Sequence, residues 1–154
     1  RAWAHLVQTR INRQFQAAFE NYDLILAPVT PLSPFPWTEL YAEVVDGQKQ
    51  RNYYEWLSLT YMVTLATNPA LSLPCGKDEA GMPFGLQMIG PLHQDARLLG
   101  MACALEQWGQ GQTLWERPRP DMSALATPRP DLKSIVTHPP LLSGGAAVDT
   151  RTAV

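Results

Sequence analysis

The segment from Asn68 to Leu105 constrains the fold more than any other part of the 154-residue chain. Two short apolar runs, Ala70 to Pro74 and Phe84 to Gly90, have the length and composition of strands, and Gly76 and Gly81 supply turn residues between them. We therefore expect the two strands to pair as a hairpin.

The residues that follow the second run predict an amphipathic helix. It should begin near Gln94 or Asp95, where a carboxylate suits a helix start, and end at Gly109. Its inner stripe is expected to consist of Leu98, Met101, Ala102, Leu105 and Trp108.

The first half of the chain alternates helix and strand in the same way. Three- and four-residue spacing of apolar residues predicts a helix from Ala2 to Phe19, and the run Asp23 to Ala27 predicts a buried strand of a mostly parallel sheet. The proline-rich residues 27–37 predict an extended loop. A second helix, Gln50 to Leu65, is apolar nearly all round and should be covered by other protein. This order predicts an α/β fold.

The pattern changes after Trp115. Prolines become frequent and hydrophobic periodicity is lost, so we expect residues 1–116 to form the α/β unit and residues 117–154 an extended or disordered proline-rich arm. The chain opens with Arg1 inside a predicted helix, which suggests a fragment of a longer protein.

Composition restricts the classes of function. A net charge of −2 with mixed signs gives no electrostatic footprint for nucleic acid or an anionic membrane, so neither is expected as a partner. Two cysteines without CxxC spacing favour a reducing, cytoplasmic setting. The three histidines are too dispersed for a recognisable zinc site, and no metal is expected.

Three segments resemble the C-terminal part of amidase-signature enzymes. They are YDLILAPVTP, TNPALSLPCG and GMPFGLQMIGPLHQDARLLGMACALEQ. A predicted helix precedes each of the first two, and the third contains one. With these helices, the resemblance covers residues 1–107. The resemblance implies a mixed, helix-flanked sheet and hydrolysis of carbon–nitrogen bonds in a small amide. It also implies a Ser-Ser-Lys centre in the N-terminal part of the enzyme, with no cofactor.

This chain departs from the family pattern in two places. No Gly/Ser-rich loop follows Lys49, Lys77 or Lys133, and Ser143-Gly144-Gly145 lies in the predicted arm, so no catalytic residue is assigned within the chain. The family often has Asn-Leu-x-Gly before the proline of the second segment, where this chain has Thr64 to Asn68 without a glycine.

Loops that leave strand ends are where α/β proteins build binding sites. The candidate substrate-binding residues are accordingly Thr30, Pro31, Trp37, Tyr53 and Trp56. The competing interpretation is that they serve core packing and loop rigidity.

Cys75 at a strand end is an alternative nucleophile, with His5, His93 or His138 as base. The competing interpretation is a buried structural thiol, and Cys103 is expected in the core.

Three functions remain open from the sequence. The first is a C-terminal fragment of an amide hydrolase, and the second is the A subunit of a tRNA-dependent amidotransferase, which passes ammonia to a partner subunit. The third is a stand-alone binding or scaffold module without chemistry. The first predicts an exposed apolar patch around Tyr53 to Leu65 or at a sheet edge, whereas the third predicts a largely polar surface. A homo-oligomer is compatible with each.

Overall fold

The computed structural model describes residues 1–36 and 39–127. These residues form four helices, five strands and two short 3-10 turns in an α/β arrangement, as the sequence predicts. The helices are α1 (Ala2–Phe19), α2 (Ser58–Ala66), α3 (Asp95–Gly109) and α4 (Met122–Leu125); the strands are β1 (Ile25–Pro28), β2 (Val44–Val45), β3 (Gln48–Lys49), β4 (Ala70–Lys77) and β5 (Pro83–Ile89); the 3-10 turns are Glu55–Leu57 and Thr113–Trp115.

The main sheet has three strands in the order β1-β5-β4. The predicted hairpin is confirmed, because β4 and β5 pair antiparallel from Ala70 opposite Ile89 onward. The parallel pairing expected for the first strand is wrong within the described residues, since β1 also pairs antiparallel with β5. An apolar run predicts burial of a strand but carries no information on the direction of its neighbour.

The hairpin turn is closed by Asp78. Its carboxylate accepts a hydrogen bond from the backbone N–H of Met82 at 2.8 Å, and its carbonyl accepts one from Gly81, which has a φ of 79°. A hydrogen bond from the Ser33 hydroxyl, followed by those from backbone N–H groups of the turn, lowers the pKa of Asp78 below its usual value.

One face of the sheet packs against α3. The core here consists of Leu73 and Met88 from the sheet with Leu98 and Ala102 from the helix, and Met88 is fully buried. Gly90 at the end of β5 allows this close packing, because a Cβ there would lie 3.2 Å from Leu98 Cβ and would require the helix side chain to shift. The sequence predicts both ends of α3 and four of its five inner residues correctly.

Trp108 is the exception on α3, because 61% of its surface is exposed. The inner position is occupied instead by Trp115, which packs against the core from the 3-10 turn that follows the helix. Trp108 meets Trp115 edge to face with ring centroids 5.7 Å apart. Helical periodicity could not reveal this, since the competing ring comes from outside the helix.

The second helix begins later than the sequence predicts. Two local interactions hold residues 51–55 in a different conformation: the carboxylate of Glu55 accepts bonds from the backbone and side chain of Arg51, and the Asn52 side chain accepts one from the Tyr54 N–H. Such side-chain bonds to nearby backbone compete with helix formation. The ordered α-helix therefore starts only at Ser58.

The α2 helix is also less covered than an interior helix would be. Only Val63 and Ala66 are buried, whereas three large apolar side chains remain substantially exposed. They are Tyr61 at 40%, Met62 at 41% and Leu65 at 40%. The expected covering protein is not supplied by the described residues.

The α2 helix ends on a left-handed residue that is not glycine. Thr67 has a φ of 62°, a conformation that disfavours β-branched side chains. It lies in the stretch before Pro69 where amidase-signature sequences often have a glycine. A threonine at this position therefore leaves local backbone strain at the junction of α2 and β4.

The predicted arm begins within the described residues and continues beyond them. Asp121 caps the short α4 helix by accepting bonds from the N–H groups of Ser123 and Ala124. Residues 128–154 lie outside the described part, so the domain boundary at 116/117 stays a prediction.

We predict that Thr67→Gly raises the free energy of unfolding by about 0.5–1 kcal/mol, because glycine removes the left-handed strain at the cost of some chain entropy. Urea unfolding followed by circular dichroism measures the change. The matched control is Thr64→Gly in the body of α2, which should lower stability by about 1 kcal/mol. Destabilisation by both variants would contradict the strain at Thr67.

Candidate functional site

The helical layer and the sheet are joined by buried side-chain amides. Gln87 on β5 is only 6% exposed and donates to the carbonyl of Leu59 on α2 at 2.9 Å. Asn68 is 8% exposed and donates to the carbonyl of Gly90 at 2.8 Å. The sequence analysis does not select Asn68 as a site residue. The only hint in the sequence is that this amide directly precedes Pro69 and the β4 strand.

The α1 helix adds three more amides to this network. Gln8 donates to Leu65 O at 3.2 Å, Asn12 to Ala66 O at 2.8 Å, and Gln16 approaches Asn68 Oδ1 at 3.4 Å. The first two satisfy carbonyls at the end of α2, where a helix has no internal partners. The sequence shows the four-residue spacing that places these amides on one face of α1, but it does not show which groups accept their hydrogen bonds.

A polar groove lies beside this network, between α2 and the start of β4. It has a volume of about 380 Å³. Its described lining consists of Thr60, Val63, Thr64, Thr67, Asn68, Ala70 and Gln87. Thr60 and Thr67 donate their hydroxyls to nearby backbone carbonyls, at 2.9 and 2.7 Å. The groove can position peptide groups, but these lining residues provide neither a base nor an activated nucleophile.

The loop candidates lie at a second place, where aromatic rings converge. Trp56 meets Phe35 at 5.6 Å and Tyr53 at 6.1 Å between ring centroids, all edge to face. The structure thus brings Tyr53 and Trp56 together and joins them to the proline-rich loop through Phe35. The Trp56 Nε1 atom is enclosed and has no hydrogen-bond partner among the described residues.

The remaining candidates, Thr30, Pro31 and Trp37, are not seen in this aromatic cluster. The Thr30 hydroxyl donates to Leu32 O at 3.0 Å and Pro31 is half-buried, with no hydrogen bond or ring contact to the aromatic cluster in the described residues. Trp37 lies outside the described residues. The role of these residues in binding stays a prediction.

Cys75 has the environment of a structural thiol. Burial raises its pKa, with a smaller opposing effect from a bond to the Leu86 backbone, so the thiol stays protonated at neutral pH. Reactive cysteines instead have a lowered pKa. Cys103, expected in the core, is exposed, because it lies on the same side of α3 as the exposed Leu99 rather than with Leu98 and Ala102.

A second, larger groove of about 850 Å³ lies at the end of α3. Its charged lining residues are Lys77, Arg117 and Arg119 against Glu106 and Glu116, and Arg117 forms an ion pair with Glu106. This open groove could attract an anionic group, but the described lining holds no nucleophile.

Within residues 1–36 and 39–127, no three His, Cys, Asp or Glu side chains group together in a way that could hold a metal ion. None of the helices in that same part of the chain has the length and hydropathy needed to span a bilayer.

Comparisons with known proteins agree on one family. A family model described as Amidase matches residues 1–99. Among curated proteins, the chain is 38% identical over 120 residues to the A subunit of glutamyl-tRNA(Gln) amidotransferase from Trichormus variabilis, covering 78% of this chain and 23% of that protein. It is 39% identical over 101 residues to the second such A subunit of Clostridium acetobutylicum, covering 66% and 20%.

Solved structures give the same fold. The chain resembles a crystal structure titled amidase with a TM-score of 0.58 and 29% identity, covering 66% of this chain and 23% of that one. It resembles the glutamyl-tRNA(Gln) amidotransferase A subunit of Thermotoga maritima with a TM-score of 0.55 and 29% identity, covering 66% and 21%. The chain therefore spans less than a quarter of the length of the relatives that it matches.

We predict that Asn68→Ala lowers the free energy of unfolding by about 1–3 kcal/mol, since it leaves the Gly90 carbonyl without its donor. Chemical unfolding measures the loss. The control is Asn21→Ala at the exposed end of α1, where the effect should stay within about 0.5 kcal/mol. Equal losses in the two variants would show that the Asn68 amide does not join the layers.

Proposed function

The chain belongs to the amidase-signature family, and we propose that it forms the C-terminal portion of an enzyme that cleaves carbon–nitrogen bonds of amides. The reactive Ser-Ser-Lys centre would be carried by polypeptide upstream of Arg1. The observation that supports this most strongly is the family match over residues 1–99, since it includes β1, α2, β4 and β5 while the chain spans under a quarter of each relative.

The exposed apolar surface favours this proposal over a stand-alone module. A self-contained module should cover α2 and present a largely polar surface. Instead, Tyr61, Met62 and Leu65 on α2 are each exposed by 40% or more, and Trp3 and Leu6 on α1 by 75% and 68%. Surface of this kind is typical of an interface that further protein covers.

The described residues supply architecture to the proposed enzyme. Acyl transfer from an amide needs a nucleophile, a base that is neutral near pH 7, and donors aimed at the developing oxyanion. The two grooves and the aromatic cluster contain no such set among the described residues. The Tyr53–Trp56 cluster, with Thr30, Pro31 and Trp37, would form one wall of the small-amide site.

A second candidate is the A subunit of a tRNA-dependent amidotransferase, which would pass ammonia to a partner subunit. The names of the curated relatives favour it, since the A subunit of glutamyl-tRNA(Gln) amidotransferase recurs among them at 36–40% identity. This candidate function does not support the expectation from the sequence that the protein has no nucleic-acid partner. The charge composition gives no sign of a basic binding face, which is compatible with a tRNA substrate held by other parts of the complex.

The cytoplasmic setting belongs to the same proposal. Both cysteines, Cys75 and Cys103, are free thiols, which suits a reducing compartment.

A chimera tests the proposed function. In the A subunit from Trichormus variabilis, the aligned segment is replaced by this chain, and ammonia release from glutamine and from an aryl amide is measured with the other subunits of that enzyme present. We expect the chimera to release ammonia within about tenfold of the parent rate, whereas this chain alone releases none, because the chain supplies the scaffold without the reactive groups.

Two controls give the result its meaning. The parent protein with the aligned segment deleted should be inactive, and Cys75→Ala in the chimera should leave turnover unchanged. A folded but inactive chimera would contradict the proposal, and loss of turnover in the Cys75→Ala variant would instead favour the thiol mechanism.

A further inference from the structure

Two further tyrosines continue the aromatic cluster of Phe35, Tyr53 and Trp56. The ring of Tyr53 meets that of Tyr41 at 6.2 Å and that of Tyr54 at 5.7 Å between centroids. These pairs, like those of Trp56, are edge to face, with interplanar angles between 78° and 89°. Aromatic rings prefer this geometry because the positive edge of one ring meets the negative face of the next. The five rings therefore form one continuous surface, the aromatic wall.

Local hydrogen bonds hold the backbone that carries the central rings of this wall. The Glu55 carboxylate accepts from the Arg51 N–H at 2.6 Å, and the Asn52 side chain accepts from the Tyr54 N–H at 2.9 Å. An aromatic side chain has only two χ angles to fix. Rings placed in this way lose little conformational entropy when a ligand packs on them.

Part of the aromatic wall stays open to solvent. Tyr53 is 41% exposed, Tyr54 is 70% exposed and Trp56 is half-buried. The Nε1 atom of Trp56 is enclosed, so any part of this indole ring that a ligand reaches is carbon. Contiguous apolar surface of this kind is typical of a binding site.

The charged residues beside these rings are paired with each other. One carboxylate oxygen of Glu55 accepts from the Arg51 guanidinium and the other from the Arg51 backbone N–H. The side-chain bond, followed by the backbone bond, lowers the pKa of Glu55 below its usual value. Glu55 is therefore already occupied and cannot serve as the partner of a substrate ammonium group. The Arg51 side chain is 86% exposed, where an ion pair with a substrate carboxylate contributes little.

These properties discriminate between classes of amide. An uncharged aromatic ring gains edge-to-face contacts when it packs on the wall. Glutamine carries an ammonium and a carboxylate on its α-carbon, and both would lose water there without a charged partner among the described residues. A cationic amide would gain cation–π contacts, but it would meet the like charge of Arg51 beside the rings. A neutral aromatic group is therefore the best match.

We infer that the substrate is a primary amide whose acyl group ends in an aromatic ring, and that this ring packs on Tyr53 and Trp56. Phenylacetamide is a simple member of this class. The inference rests on the proposed function, because it names the substrate class of the same site. It favours the amide hydrolase over the glutamine-dependent amidotransferase.

A matched set of substrates tests the class in the chimera described above. Ammonia release is measured from phenylacetamide, cyclohexylacetamide and glutamine, with the parent A subunit as reference. We expect kcat/KM of the chimera for phenylacetamide to exceed that for cyclohexylacetamide by about fivefold, because only the aromatic ring gains edge-to-face contacts. The ratio of phenylacetamide to glutamine should exceed that of the parent by about tenfold or more.

Substitutions in the chimera identify the rings that contact the substrate. Trp56→Leu and Tyr53→Leu should each bring the ratio of phenylacetamide to cyclohexylacetamide close to one, whereas Trp56→Phe keeps a ring and should keep most of the ratio. The matched control is Trp108→Leu on α3, which should leave the ratio unchanged. A lower melting temperature in both wall variants with an unchanged ratio would show that other protein covers the wall, and would overturn the inference.

A binding measurement separates the inference from the proposed function. With tryptophan labelled in the chimera, loss of one indole N–H signal in Trp56→Phe identifies Trp56 by nuclear magnetic resonance. Phenylacetamide should shift this signal and glutamine should not. Ammonia release without a preference for phenylacetamide overturns the substrate class and leaves the function standing, whereas a shifted signal without ammonia release does the reverse. A folded chimera with neither result overturns both.

The position of the ring within the amide has its own test. Acetanilide carries its aromatic ring on the leaving amine instead of the acyl group. We expect the chimera to release aniline from acetanilide more slowly than ammonia from phenylacetamide. The opposite order would place the ring on the leaving group and overturn the acyl assignment.

Discussion

Two buried amides, Asn68 and Gln87, connect the layers of this fold. Each donates to a backbone carbonyl across an interface, Asn68 to the end of β5 and Gln87 to the first turn of α2. Leaving a buried amide without a hydrogen bond costs free energy, so the Gln87 bond favours the observed position of α2 over the sheet and the Asn68 bond holds the α2–β4 junction against β5. The α1 amides then depend on α2, because their acceptors lie at its C-terminal end.

The two faces of the sheet are completed to different extents. On one face, α3 and Trp115 enclose Leu73 and Met88, and Met88 reaches full burial. On the other, α2 meets the sheet through the bond from Gln87 to Leu59, α1 packs on α2, and both helices leave apolar side chains in solvent. The asymmetry follows from chain order: the residues after β5 return over their own sheet, while α2 is contacted by α1 at its C-terminal end and keeps Tyr61, Met62 and Leu65 exposed.

The described residues match the amidase family over residues 1–99 but contain no assembled reactive centre. Their carbonyls, amides and hydroxyls form hydrogen bonds with one another that join the helices to the sheet. Burial raises the pKa of Cys75 within β4, which makes this thiol less reactive as a nucleophile. Under the proposed function, the chain contributes a wall of the substrate site, and the reactive groups lie upstream.

The sequence by itself determined the features that depend on residues near one another in the chain. The β4–β5 hairpin follows from two apolar runs and their glycines, α3 follows from its periodicity and Gly109, and the same segments identify the family. Tertiary structure alone decided the direction of β1, the packing of Trp115 in place of Trp108 and the acceptors of the α1 amides. These depend on partners outside the element concerned, 54 and 57 residues away for Asn12 and Gln8, whereas periodicity records only which side of an element is apolar.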